Sequence, residues 1–407
     1  MSGSLSHLRV LDLSRVLAGP WASQILGDLG AEVIKVERPQ TGDDTRSWGP
    51  PFFQGDDGNA EISAYFLSAN RNKQSLAIDL THPEGQKLIR RLVAESDVVL
   101  ENFKVGGLKR YGLDYESLQR INPKLIYCSI TGFGQDGPYS NRPGYDFLIQ
   151  AMGGLMSITG HPDGEPGSGP MKVGVALTDI MTGLYATIGV LAALTHRART
   201  GEGQHVETAL LDVQVACLAN QAMNYLTTGK APARMGNAHP NIVPYEDFPT
   251  ADGNMVLTVG NDLQFARLCE VLGRPEWATD ERFATNRARV ANRKELIPKL
   301  RQATVMRSTR EWVDVLEDAG VPCGPVNTID QVFDDPQVVA REMCQKIAHP
   351  SLGRVPTVAN PIKLKLTPVE YRTAPPLLGE QSAQILQRII GLSEQEIEAL
   401  RQSSVIS

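Results

Sequence analysis

What this 407-residue chain lacks narrows its function before any motif is read. It has no positive excess: 46 acidic residues against 40 Lys and Arg give a net charge of −6, so binding to nucleic acid finds no support and any anionic ligand must be met by a local cluster. Cysteine is scarce. Cys128, Cys217, Cys269, Cys323 and Cys344 are odd in number and widely spaced, with no C-x-x-C pair, which argues against both a zinc site and a disulfide framework. The most apolar segment, Ile180 to Leu194, is shorter than a membrane span and contains Thr and Tyr, so it reads as a buried core helix and no membrane partner is expected. A strand-like run begins within the first ten residues with no signal peptide before it, and a cytoplasmic location is the expectation. Internal repeats and low-complexity tracts are missing as well.

What is present fits a folded α/β protein. Hydrophobic residues make up 42% and charged residues 21%, and the length exceeds what one small core accommodates, so two domains are expected. The division predicted is a large domain over 1–228, a linker over 229–244 rich in Pro and Gly, a small α/β domain over 245–330, and a linker with a return to the large domain over 331–407. Leu8–Leu13 reads as a buried strand. Pro20 suits a helix first turn, and Gly30 terminates that helix before a second strand, Ala31–Glu37. This β-α-β unit implies parallel strands. It lacks G-x-G-x-x-G, so the dinucleotide fingerprint is absent.

Further strands are predicted at Ser75–Leu80, Asp97–Glu101 and Leu125–Ile130, and a Gly/Pro/Asp-rich loop at Asp43–Asn59. The loops Arg15–Gly19, Asn102–Gly107 and Thr131–Gly134 all follow strands, and ligands of open α/β sheets lie at such carboxyl ends. Arg15, Arg38, Arg71, Lys73, Lys104, Lys109 and Arg110 near these loops suggest a polyanionic ligand, and Phe103 and Phe133 are candidates to stack on a nucleobase. Asp179 stands between a strand-like run, Lys172–Ala176, and a long apolar helix. As an N-cap its oxygen would accept from first-turn N–H groups. The helix end would also favour the ionised carboxylate, which is a competent nucleophile. Beyond the linker, Asp252-Gly253 between two apolar runs signals a hairpin, and Ile362–Leu366 reads as a strand before two amphipathic helices.

The order of these motifs resembles the family III CoA-transferases. The likeness rests on Val10-Leu11-Asp12-Leu13-Ser14, Ala18-Gly19-Pro20, Gly30 to Glu37, Asn70-Arg71-Asn72-Lys73, Glu101-Asn102-Phe103, Gly132-Phe133-Gly134, Gly144-Tyr145-Asp146, Asp179 before its helix, and the Arg199 to Gln204 turn, and it covers nearly the whole chain. The resemblance implies a large Rossmann-like domain with a parallel sheet, a smaller α/β domain, and an interlocked homodimer. It implies that Val16, Leu17 and Ala18 line the CoA site, that Arg38, Asn72 and Lys73 hold the adenosine and phosphate end, and that Asn102, Phe103 and Arg110 contact the nucleotide and pantetheine. Thr131 stands where some members carry Lys. Asp179 matches the catalytic aspartate, with Tyr145, Gly260 and Asn261 facing substrate. No tightly bound cofactor is implied; the coenzyme A thioester is itself a substrate, exchanged with a carboxylic acid, and no metal is needed.

Within the resemblance, the chain looks most like members that act on dicarboxylates, such as succinyl-CoA with glutarate or 3-hydroxy-3-methylglutarate. A cation should then meet the distal carboxylate, and Arg46, Arg71 and Arg234 are the candidates. Three alternatives stay open. An α-methylacyl-CoA racemase needs a base at the position of Tyr145, and a phenol of reference pKa about 10 is a poor one near neutral pH. Formyl-CoA:oxalate transfer is disfavoured because Val259-Gly260-Asn261-Asp262 has one glycine where a glycine-rich loop is expected. A non-catalytic CoA-binding protein would keep the basic loops and not need Asp179.

Overall fold

The computed structural model describes residues 3–55, 58 and 61–407. Two compact units emerge: one of residues 1–155, 172–229 and 339–407, the other of residues 156–171 and 230–338.

The first unit is built on a six-stranded, wholly parallel sheet. Its strands are β1 (Arg9–Asp12), β2 (Glu32–Glu37), β3 (Lys73–Ala77), β4 (Val98–Glu101), β5 (Ile126–Thr131) and β6 (His205–Ala209), in spatial order β3-β2-β1-β4-β5-β6. This is the doubly wound order in which the chain reverses direction between β1 and β4. Strand side chains alternate between faces. Leu11 and Leu13 therefore join one core with Leu88, Leu92 and Leu118, while Leu8 and Val10 join the other with Ala22, Leu26 and Val190. Both faces are buried, which is why these strands read as continuous apolar runs.

Helix α1 (Ala18–Asp28) links β1 to β2, and α2 (Pro83–Ala94) links β3 to β4. Helix α3 (Asp146–Met152) precedes the long α4 (Leu177–Thr200), and α5 (Leu210–Ala216) with α6 (Ala219–Thr228) follow β6. Helix α4 runs 24 residues, longer than its apolar stretch suggested, and by length and composition alone could cross a membrane. One side packs into the first unit, where Gly183 lies so close to α1 that a Cβ there would meet the Ala18 carbonyl at 2.7 Å, while Leu184, Tyr185 and Ile188 on the other side stay exposed, so the helix is only partly the buried core helix expected. The chain returns at its end, where α10 (Ser382–Ile390) and α11 (Glu394–Gln402) place Ile385, Leu386 and Ile397 in the same core as Leu11.

The second unit holds a three-stranded antiparallel sheet of β7 (Tyr245–Pro249), β8 (Asn254–Thr258) and β9 (Cys323–Pro325), with β8 central. Helices α7 (Asp262–Val271), α8 (Arg293–Thr304) and α9 (Thr309–Asp318) bury Phe265, Leu296, Leu300 and Trp312 against it. Met255 pairs with Phe248 in the predicted hairpin.

Several expectations differ. Residues 230–244 belong to the second unit rather than forming a linker, since Val243 is buried in its core. Residues 156–171 also join that unit, where Gly236 N donates to the Gly160 carbonyl. Ile362–Leu366 is not a strand; the strands there are β10 (Cys344–His349) and β11 (Gly353–Val358), because alternation without a partner strand makes no ladder. Within the expected Asp43–Asn59 loop lie a short 3-10 helix, Asp44–Ser47, and a strand, Phe52–Gln54, paired with Glu61–Ser63, while Asp56, Asp57 and Asn59 fall outside the described residues.

Candidate active site

The reversal between β1 and β4 leaves a crevice at their carboxyl ends. After β1 the buried Asp12 carboxylate accepts from Ser14 N at 2.9 Å and turns the chain. Asn102, after β4, then grips Arg15 from both sides, its Oδ1 accepting from Arg15 N at 2.9 Å and its Nδ2 donating to the Arg15 carbonyl at 2.7 Å. Val16 follows with φ of +71°, a left-handed conformation uncommon for a β-branched residue. Such strain costs about 1–3 kcal/mol and persists only where surroundings enforce it. Here Val16 N is held at 3.2 Å from both oxygens of Asp43, itself fully buried and paired with Lys35 at 2.8 Å. The burial cost on Asp43 is outweighed by Lys35 and Thr45, which hold its carboxyl down at about 2.

The third wall comes from β5. Gly132 and Gly144 touch backbone to backbone; a Cβ on Gly132 would lie 2.5 Å from the Gly144 Cα. This contact folds the 140–145 segment over the end of β5. The result is a cavity of about 200 Å³ lined by the Arg15–Ala18, Asn102–Val105, Thr131–Gly132 and Arg142–Tyr145 segments and by Asp179.

Asp179 is not the N-cap of its helix. Ala176 holds that position, Lys172–Ala176 is not a strand, and Asp179 lies in the first turn of α4. The cap is supplied by Asp146, the first residue of α3: its Oδ2 accepts from Thr178 N at 2.8 Å and from Asp179 N at 3.2 Å. Gln150 fixes that carboxylate, donating to Oδ1 at 2.6 Å while accepting from Val173 N at 2.9 Å. The charge state also reverses the expectation. Burial first, and the neighbouring Asp146 carboxylate second, push the Asp179 carboxyl up to about 7. A carboxylate so raised is poorly solvated and reactive, and is ionised in a substantial fraction at neutral pH.

Tyr65 was missed by the sequence reading. Its phenol is pushed up to about 12, by burial first and then by the charges of Asp179, Asp146 and Asp43, so it stays protonated at neutral pH. It packs edge-on against Trp48 at 5.1 Å. It sits in an unremarked helix, Ala64–Ala69, and no local pattern signals it.

Of the other predicted residues, Val16, Leu17, Ala18, Asn102, Phe103, Thr131 and Tyr145 line the cavity with Asp179. Arg38 lies in an adjoining hollow that shares Arg15 and Phe103, and it pairs with Asp44 at 2.6 Å. The crevice thus runs from the end of β2, at Arg38, across β1 and β4 to β5. Phe133 is buried in the core behind β5 and faces a separate depression with Tyr139. Arg110 lines neither hollow and stacks on Tyr111 at 4.5 Å.

Asn72 and Lys73 do not reach the crevice. Asn72 donates to Asp28 at 2.8 Å and to the Glu370 carbonyl at 2.7 Å. Lys73 is 1% exposed, bonded to Asn70 and the Pro20 carbonyl, and lies 3.3 Å from Asp12. A lysine so enclosed cannot hold a phosphate; burial pulls it down to about 7 against the attraction of Asp12. The three arginines expected to meet a distal carboxylate are already engaged: Arg46 by Glu37 at 2.7 Å, Arg71 by Asp28 at 2.5 Å, and Arg234 by Asp163. Gly260 and Asn261 lie in the second unit, where Asn261 caps α7 through Gln264 N at 2.9 Å.

Residues 5–382 match the family model described as CoA-transferase family III. The chain belongs to CoA-transferase family III. The succinate–glutarate CoA-transferase of Agrobacterium fabrum is 54% identical over 382 residues, covering 94% of each chain. The succinyl-CoA:glutarate CoA-transferase of Mus musculus is 46% identical over 402 residues, covering 99% of this chain and 90% of that one. Among solved structures, a CAIB/BAIF family protein from Brucella suis superposes with a TM-score of 0.83 at 51% identity, covering 96% of this chain and 100% of that one. This chain is therefore an enzyme of the transferase class, and CoA thioesters are its substrates.

Proposed function

We propose that this transferase moves CoA from a dicarboxylic acyl-CoA, such as succinyl-CoA, to a second dicarboxylic acid, such as glutarate or 3-hydroxy-3-methylglutarate, with Asp179 as the covalent nucleophile. The observation that carries the reading is the Asp179 carboxylate, raised toward neutrality, opening into the cavity at the sheet's reversal point. The dicarboxylate assignment is supported by the two glutarate-acting relatives.

The steps balance without a metal or a redox partner. An Asp179 oxygen attacks the thioester carbonyl, the C–S bond breaks, and CoA leaves as thiolate from a mixed anhydride. The thiolate attacks the aspartyl carbonyl and expels the donor acid as its carboxylate, leaving an aspartyl–CoA thioester. The acceptor carboxylate attacks that thioester and again releases thiolate. The thiolate then takes the new acyl group from the second anhydride and returns Asp179 to its carboxylate. Each tetrahedral species gains roughly 2.7–4 kcal/mol per well-placed donor. Water must be excluded from the anhydrides.

Val16, Leu17, Ala18, Asn102 and Phe103 hold the pantetheine, and Arg38 the nucleotide end. The working enzyme is a cytoplasmic interlocked homodimer. The exposed apolar face of α4, with Leu184, Tyr185 and Ile188, supports burial against a second copy. The five free thiols suit a reducing compartment.

The test is a panel of CoA donors and carboxylic acceptors with the purified protein, alongside Asp179→Ala. A hydroxylamine-sensitive aspartyl adduct in the native protein, lost in the variant, supports the reading. Acyl exchange surviving in the variant refutes it.

A further inference from the structure

Arg142 is the cation that the sequence reading did not consider. It lines the same cavity as Asp179 and Tyr145. Its guanidinium carbon lies 4.6 Å from the Tyr139 ring centroid and 5.3 Å from that of Phe133, two faces that orient it without neutralising it. Among the described residues no carboxylate lies within ion-pair distance of it, whereas Arg15 in the same cavity and Arg38 in the adjoining hollow both pair with Asp44.

Its position relative to the nucleophile is set by backbone contacts. Two residues after Arg142, Gly144 packs on Gly132 at the end of β5. Two residues further, Asp146 holds the first turn of α4, where Asp179 lies. Arg142 and Asp179 thus hang from one short segment, pinned at both ends. With the nucleotide end at Arg38, as proposed above, the acyl group extends toward β5 and Arg142.

We propose that Arg142 binds the distal carboxylate of the dicarboxylic substrate while its reacting carboxyl is joined to Asp179. A planar guanidinium pairs with a carboxylate through two parallel N–H donors, and stacking on Tyr139 and Phe133 presets its plane. This rests on the dicarboxylate reading above. It names Arg142 as the residue that separates a dicarboxylic acid from a monocarboxylic acid of equal length.

The experiment compares glutarate with pentanoate, which replaces the distal carboxylate by a methyl group, as acceptors from one donor. In a ping-pong reaction kcat/KM for the acceptor is independent of the donor half. The ratio of the two kcat/KM values should fall roughly 10- to 100-fold in Arg142→Gln, the loss expected of a charge-assisted hydrogen bond. Arg142→Lys, which keeps the charge and loses the planar fork, should give an intermediate ratio. A ratio unchanged in both variants overturns the assignment, whether the two rates fall together or not at all. Should Arg142→Gln fail to fold, the ratio in Arg142→Lys decides. If the native enzyme transfers CoA to neither acid nor to any other dicarboxylate, the underlying reading fails rather than the role of Arg142.

Discussion

Asp179→Asn should abolish transfer and, above neutral pH, make the protein more stable. The folded carboxyl is raised from 3.8 to about 7 by burial and by Asp146. A shift of about 3 units corresponds to about 4 kcal/mol between the two protonation states; partial exposure of the side chain reduces that to about 2 kcal/mol. The unfolded chain titrates near 3.9. Below pH 4 both states carry the proton and there is no penalty. Between pH 4 and 7 the folded state binds the extra proton, so stability falls as pH rises, and above 7 the full penalty applies. Asparagine carries no charge, so the variant escapes it. Thermal unfolding of both proteins at pH 4.5, 6 and 8 should show the melting temperatures converging at the acid end and the variant leading by a few degrees at pH 8. In the native enzyme, kcat/KM should rise with pH and level off above 7. An advantage independent of pH, or an asparagine variant less stable at pH 8, would refute the account of Asp179 as a carboxylate held against its own ionisation.

Glu101→Gln provides the contrast. Glu101 is buried and raised to about 7, with Ser129 and Phe103 N as partners, so the same window applies and the variant should gain stability above pH 7 in urea titrations while retaining transfer. Arg71→Met should lose about 3–5 kcal/mol in equilibrium denaturation, because it leaves the Asp28 carboxylate buried without its guanidinium. Gly132→Ala should cut kcat/KM well below its effect on stability, because its Cβ would lie 2.5 Å from the Gly144 Cα and push away the segment that carries Arg142, Tyr145 and Asp146.

The amino-acid sequence by itself determined the parallel α/β unit, since two-sided burial writes itself as apolar runs separated by helices and glycine stops. It also marked the strand-end loops at Arg15, Asn102 and Thr131, and Asp179 as the notable carboxylate. The roles of charged residues were less legible, because a lysine in a buried ion cluster and one on a rim are spelled alike. Lys73 and Arg71 read as ligand cations, and only packing against Asp12 and Asp28 assigned them to the interior. In the same way Asp146 looked like part of a motif, yet the fold made it the cap of another helix and, after burial, the second cause that raises Asp179. Tyr65 and Arg142 carried no local pattern at all. Arg142 shares a cavity with Asp179 through the sheet order and one glycine–glycine contact, and such long-range juxtapositions arise only when the chain closes on itself.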